Sequence, residues 1–151
     1  MKDEKGLTDL ITPDTRIKVS STLDKSVGKI YLTDGSPETC WTSREGSSQY
    51  IQLTFSSPVR PKRIVLTFQG GFVGKTCIIE ALPSTGTEGD RLLPVARIYP
   101  EDVNREQAFE LPENIDISGS GVSQIKLTFE ESSDFFGRVT VYNLRIQGDV
   151  L

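Results

Sequence analysis

The sequence predicts an all-β fold, a sandwich or barrel of about eight short antiparallel strands, and three observations lead there. The phrase Leu-Thr-Phe closes three separate apolar runs, "YIQLTF" (50–55), "RIVLTF" (63–68) and "QIKLTF" (124–129). Turn-forming clusters lie between such runs: "TDGSPE", "REGSS", "SSPVRP", "QGGFVG", "PSTGTEGD" and "SGSG". No segment of twelve or more residues carries the period of about 3.6 that marks a helix.

Taken along the chain, residues 1–14 are polar, end near Pro13 and read as a flexible arm, leaving 15–151 as the domain. "RIKVS" (16–20) is the first, weaker strand. In the next two runs Ile51, Leu53 and Phe55 share one face, and so do Ile64, Leu66 and Phe68. The threonines between them point the other way and favour extended backbone. One apolar face with a period of two describes a half-buried antiparallel strand. "TCIIEAL" (76–82), "PVARIY" (94–99) and "AFEL" (108–111) follow, then the third phrase with Ile125, Leu127 and Phe129 on one face. The last strand, "RVTVYNLRI" (138–146), breaks its own alternation. Val139 and Val141 share one face while Leu144 and Ile146 share the other, and one extra residue near Tyr142–Asn143, a bulge, restores the inward direction. Just before it, Phe135 and Phe136 are adjacent. Neighbours in an extended chain point to opposite faces, so one ring is expected in the core and the other on display.

Composition narrows the function. A chain of 151 residues supports one well-cored domain. The formal net charge is −4 and the longest basic run is "PKR", which leaves no basic face for duplex nucleic acid. No stretch approaches the roughly 18 apolar residues of a membrane span. The start of the chain lacks the apolar core of a signal peptide. Asn104, Asn114 and Asn143 are not in glycosylation sequons, and there are two cysteines, Cys40 and Cys77. A reducing compartment, nucleus or cytoplasm, is the expectation.

Catalysis is not expected. The chain has no histidine, which removes the usual general base and the commonest zinc ligand. The cysteines are too far apart in sequence for a C-x-x-C pair. "GGFVGKT" (70–76) resembles a phosphate loop but has the wrong glycine spacing, with Gln69 where glycine is needed, and it runs into β-branched residues rather than a helix.

The run "LTDGSPETCWTS" (32–43), followed by "QYIQLTF" (49–55), resembles the discoidin, or coagulation-factor-type C, module. The same pattern is similar to the substrate-recruiting Doc domain of the anaphase-promoting complex. "FQGGF" (68–72), "YPEDVN" (99–104) and "TFEESSDFFGRVTVYNLRIQG" (128–148) extend the similarity to a family of small stand-alone discoidin-like proteins named for association with an orphan nuclear receptor, the testicular receptor. The resemblance runs from about Arg16 to Gly148 and implies a galactose-binding-like jelly-roll β-sandwich. It implies that Trp41 packs at the edge of the sandwich, and Cys40 reads as a small buried or half-buried thiol. In carbohydrate-binding relatives the aspartate and threonine corresponding to Asp34 and Thr39 ligate a structural calcium together with a glutamate. Here that last position is Asn143, and losing an anionic oxygen weakens a hard-cation site, so no metal or other cofactor is expected. Asp34 and Gly35 also read as a turn former.

Discoidin-like sandwiches bind through loops gathered at one end. The candidates are "LTDGSPETCW", "FQGGFVGKT" and "EESSDFFGR", which bring Phe72, Lys75, Phe135, Phe136 and Arg138 forward as partner-binding residues. Exposed aromatics beside arginine are the composition of an interaction hot spot. The expected function is a non-catalytic intracellular protein-interaction module, with a nuclear receptor as partner and a role in transcriptional repression implied by the resemblance. The alternative is a glycan-binding module, which would need an exposed Trp or Tyr platform. Membrane binding through phenylalanine spikes is disfavoured by the acidic balance.

Overall fold

A computed structural model describes residues 6–84, 91–115 and 119–151. The described residues form nine strands: β1 (Thr8–Asp9), β2 (Arg16–Val19), β3 (Trp41–Thr42), β4 (Gln49–Phe68), β5 (Gly74–Pro83), β6 (Leu93–Ile98), β7 (Glu106–Glu110), β8 (Val122–Ser132) and β9 (Thr140–Val150). The helical content is three short 3-10 turns, at Lys25–Val27, Lys29–Leu32 and Glu113–Ile115. All pairings are antiparallel. No helix among the described residues is long and apolar enough to cross a membrane.

The strands make a jelly-roll sandwich of two layers that share β4. Its first part, Gln49–Thr54, lies between β2 and β8, and β8 continues to β5 and then β6. Its second part, Val59–Phe68, lies between β7 and β9, and β9 carries β1 and β3 on its far side. The turn expected at "SSPVRP" is therefore not a chain reversal. Ladder pairing with β8 is interrupted between Thr54 and Val59, and Pro58 sits in that interruption, where no donor is required of it.

The alternation argument holds residue by residue. Ile51, Leu53, Phe55, Ile64, Leu66, Phe68, Ile125, Leu127 and Phe129 are all buried in one core. Each such side chain contributes about 1.5–3 kcal/mol by leaving water. Phe68 of one layer meets Phe129 of the other edge-to-face, with ring centres 5.7 Å apart and planes at 80°. Gly74 lies so close to this pair that a Cβ there would fall 2.4 Å from the Phe129 ring. The bulge on β9 is where it was expected. Thr67 pairs with Asn143 and Phe68 with Val141, so Tyr142 is the extra residue, and Val141 and Leu144 both point inward.

The described part of the segment expected as a loose arm is packed. Thr8 and Asp9 pair with Gly148 and Gln147, and Leu7 and Leu10 are buried. A polar relay fastens the same edge: Arg63 donates to Gln147 Oε1 at 3.1 Å, and Gln147 donates to Asp9 Oδ1 at 3.1 Å. Residues 1–5 and most of "PSTGTEGD" lie outside the described residues.

Candidate functional site

Four loops meet at one end of the sandwich: 43–48, 69–73, 99–105 and 132–139. Hydrogen bonds between them fix the arrangement. Ser133 N donates to Val73 O, and Val73 N donates back to Ser133 Oγ, each at 2.9 Å. Asp102 Oδ1 accepts from Gly71 N at 2.8 Å and from Ser133 Oγ at 3.2 Å, while Asn104 Oδ1 accepts from Gly70 N at 2.6 Å. Gly46 N donates to Phe136 O at 2.8 Å. Behind loop 43–48 the buried Gln49 accepts from Ser20 and Ser21 and donates to the carbonyls of Arg44 and Gly46.

Phe135 and Phe136 occupy the two corners of a turn closed by Gly137 N donating to Asp134 O at 3.0 Å. Strand alternation does not apply at a turn, so the expectation of one core ring is corrected. Phe135 is 93% exposed and Phe136 53%, with ring centres 5.2 Å apart at 89°. Gly137 adopts φ +87°, and a Cβ there would lie 2.8 Å from the Gly46 backbone, so the turn demands glycine twice over.

Arg138 organises this corner. Its Nε donates to Asp134 Oδ2 at 2.9 Å and its backbone N donates to the same oxygen at 3.1 Å. Its guanidinium carbon stands 5.1 Å from the Phe72 ring centre and 5.8 Å from that of Phe136. The hydrogen bonds from Arg138 hold the Asp134 carboxyl below the usual carboxylate range, and Asp134 in turn raises the guanidinium. Phe72, Phe136 and Arg138 are thus brought together, with Phe135 beside them. Lys75 is not part of this stack. It is exposed on β5, between Gly74, which pairs with Ser132, and Thr76, which pairs with Glu131.

Of the residues considered for calcium, Asp34 and Thr39 form a turn, and Asn143 stands on β9. Thr39 Oγ1 donates to Asp34 Oδ2 at 2.5 Å and Ser36 N donates to Asp34 Oδ1 at 3.1 Å, and these bonds, the hydroxyl's first, lower the Asp34 pKa. Asn143 lines a cleft of about 430 Å³ with Gly35 and Ser36. One carboxylate with both oxygens engaged and a neutral amide is a poor donor set for a hard cation. Among the described residues no three of His, Cys, Asp and Glu are grouped to hold a metal. Trp41 is fully buried, and its indole N–H donates to Ser21 O at 2.9 Å. Cys40 is half-buried; Cys77 is buried, which pushes its thiol pKa far up.

The polar residues Asp102, Asn104 and Gln49 hold the loops but belong to no periodic pattern in the sequence. Their legible trace is that "YPEDVN", which contains Asp102 and Asn104, and "QYIQLTF", which begins with Gln49, are among the phrases that carry the resemblance.

Against known proteins, the chain is 39% identical over 143 residues to the nuclear receptor 2C2-associated protein of Danio rerio, covering 93% of this chain and 95% of that protein. It is 38% identical over 143 residues to the Homo sapiens protein of the same name, covering 93% and 96%. The chain belongs to the nuclear receptor 2C2-associated protein family. No protein-family model matches. Among solved structures, the F5/8 type C domain of a Bacteroides fragilis protein superposes with a TM-score of 0.77 at 11% identity, covering 96% of this chain and 98% of that one. A family 32 carbohydrate-binding module from Clostridium perfringens, solved with galactose, gives 0.72 at 14% identity over 93% and 98%. At these identities the likeness shows the fold, a discoidin-type sandwich, in agreement with the resemblance carried by "DGSPETCW".

Proposed function

We propose that this member of the nuclear receptor 2C2-associated protein family is a non-catalytic protein-interaction module whose partner is a nuclear receptor, acting in the nucleus or cytoplasm as a regulator, and specifically a repressor, of transcription. The observation that carries the reading is the display of Phe135 and Phe136 on a turn pinned by hydrogen bonds. A loop that leaves Phe135 93% and Phe136 53% exposed gains little for folding from the first ring and only part of what the second could give. It offers a partner a rigid apolar anchor with little entropy left to lose. Phe72 and Arg138 complete an aromatic–arginine cluster of the kind that dominates interface energies. Lys75, exposed on β5 outside that cluster, is read as an accessory contact. No cofactor enters the reading.

The test is co-precipitation with nuclear receptor 2C2 or its orthologue. The double variant Phe135→Ala/Phe136→Ala should retain the wild-type circular dichroism and bind at least about tenfold more weakly, the loss expected of a hot-spot pair. Wild-type affinity in that variant overturns the reading.

The fold's likeness to a module solved with galactose favours a second reading, a glycan-binding site at the same end. It has less support, because Trp41, the one tryptophan, is buried, which leaves Tyr99, 66% exposed in loop 99–105, as the stacking platform at this end. A glycan array with galactosides bound by wild type but not by Phe72→Ala would turn the choice.

A further inference from the structure

The turn that carries the phenylalanines also borders a groove of about 420 Å³ between loop 43–48 and the end of β8. Its walls bring Glu130, Glu131 and Asp134 beside Phe135 and Phe136, and none of the residues lining it is a lysine or arginine. Two of the three carboxylates already have partners. Glu130 is bridged to Arg97 at 2.5 Å and Asp134 to Arg138 at 2.9 Å. Glu131 is exposed, with no ion-pair partner among the described residues. Glu45, next in sequence to the groove residue Gly46, is also exposed.

We infer that this groove takes a basic and apolar peptide segment of a protein partner, its Lys or Arg set between Glu131 and the phenylalanine rings and its apolar side chain against Phe135. The inference rests on the interaction reading above and names the chemistry of the partner. A cation placed there meets an unneutralised carboxylate and the negative face of an aromatic ring together. The aliphatic stem of a Lys or Arg covers ring surface that is otherwise in water. The molecule uses the same pairing internally, where Arg138 sits over Phe72 and Phe136 while bonded to Asp134. The neighbouring cations leave the groove open: Arg97 and Arg138 are bridged, Arg44 Nε donates to Thr22 O at 3.2 Å, and Lys75 stands on β5 outside the lining. An acidic segment would face repulsion from Glu131, with no lysine or arginine among the lining residues.

Fluorescence anisotropy with three labelled twelve-residue peptides tests this: one alternating Lys and Leu, one with Glu for each Lys, and one with Ser for each Leu. The intact protein should bind the Lys/Leu peptide at least about tenfold more tightly than either control, and added salt should weaken binding. The variant Glu45→Lys/Glu131→Lys, which changes exposed side chains alone, should reverse the order and prefer the Glu/Leu peptide. Equal binding of the first two peptides, or an unreversed preference in that variant, overturns the inference. The two proposals fail separately. If Phe135→Ala/Phe136→Ala abolishes receptor binding while Glu45→Lys/Glu131→Lys binds the receptor as wild type does, the interaction reading stands and the groove's basic partner is refuted.

Discussion

The molecule contains two edge-to-face phenylalanine pairs of nearly the same internal geometry and opposite surroundings. Phe68 and Phe129 sit 5.7 Å apart at 80° in the dry centre between the layers. Phe135 and Phe136 sit 5.2 Å apart at 89° in water. Ring–ring attraction is the same small term in both places, on the order of 1 kcal/mol. What separates them is the backbone beneath. The first pair stands on strands whose alternation aims both rings inward, and the second stands on the corners of a turn, which aims both outward. Pair geometry therefore says nothing about role, and the same residue type stabilises the fold at one site and is left exposed at the other.

The comparison breaks most visibly at Phe129. Phe129→Ala should cost about 3–5 kcal/mol, since it removes the ring and leaves a cavity against Phe68 and Gly74. Urea denaturation measures this, and a loss below about 1 kcal/mol would mean the inner pair is not the keystone it is drawn as. A smaller effect sharpens the outer region. Asp134 has a folded-state pKa lowered chiefly by its hydrogen bonds to Arg138. A depressed carboxyl contributes stability that is present above its unfolded value of about 3.9 and is lost as pH falls through the lower folded value. Asp134→Asn should therefore melt below wild type at pH 7, with a gap that holds to about pH 5 and closes below pH 4. A gap independent of pH would assign the loss to packing instead of charge. The smallest effect belongs to Phe135→Ala, within about 0.5 kcal/mol of wild type by the same urea titration, as for any surface change away from packed features. A large loss there would show that the outer pair holds the loop together.

How much of this could be read from the residues follows the same division. Period and burial agree in the three Leu-Thr-Phe phrases, whose apolar residues all face the core, and the irregularity of β9 shows in the sequence as a broken alternation around Tyr142. Phe135 and Phe136 lie on a turn, where alternation does not hold, and the Gly137 that follows them is its signal in the sequence. The proline-containing "SSPVRP" misled in the opposite sense, since turn-forming residues there mark a gap in pairing within one long strand. Leu7 and Leu10 lie in a polar stretch too short to show a period, and their burial depends on β9, far away in sequence. The loop buttresses Asp102, Asn104 and Gln49 act through single long-range hydrogen bonds, which leave no periodic trace.

One ribbon, β4, belongs to both layers of the sandwich. The two sheets accordingly have no seam along which they could separate, and a fluctuation that frees one must strip a flank from the other. Amide protons on the two faces are expected to share a single opening event, so the platform beneath the loops at this end yields as a whole or stays shut.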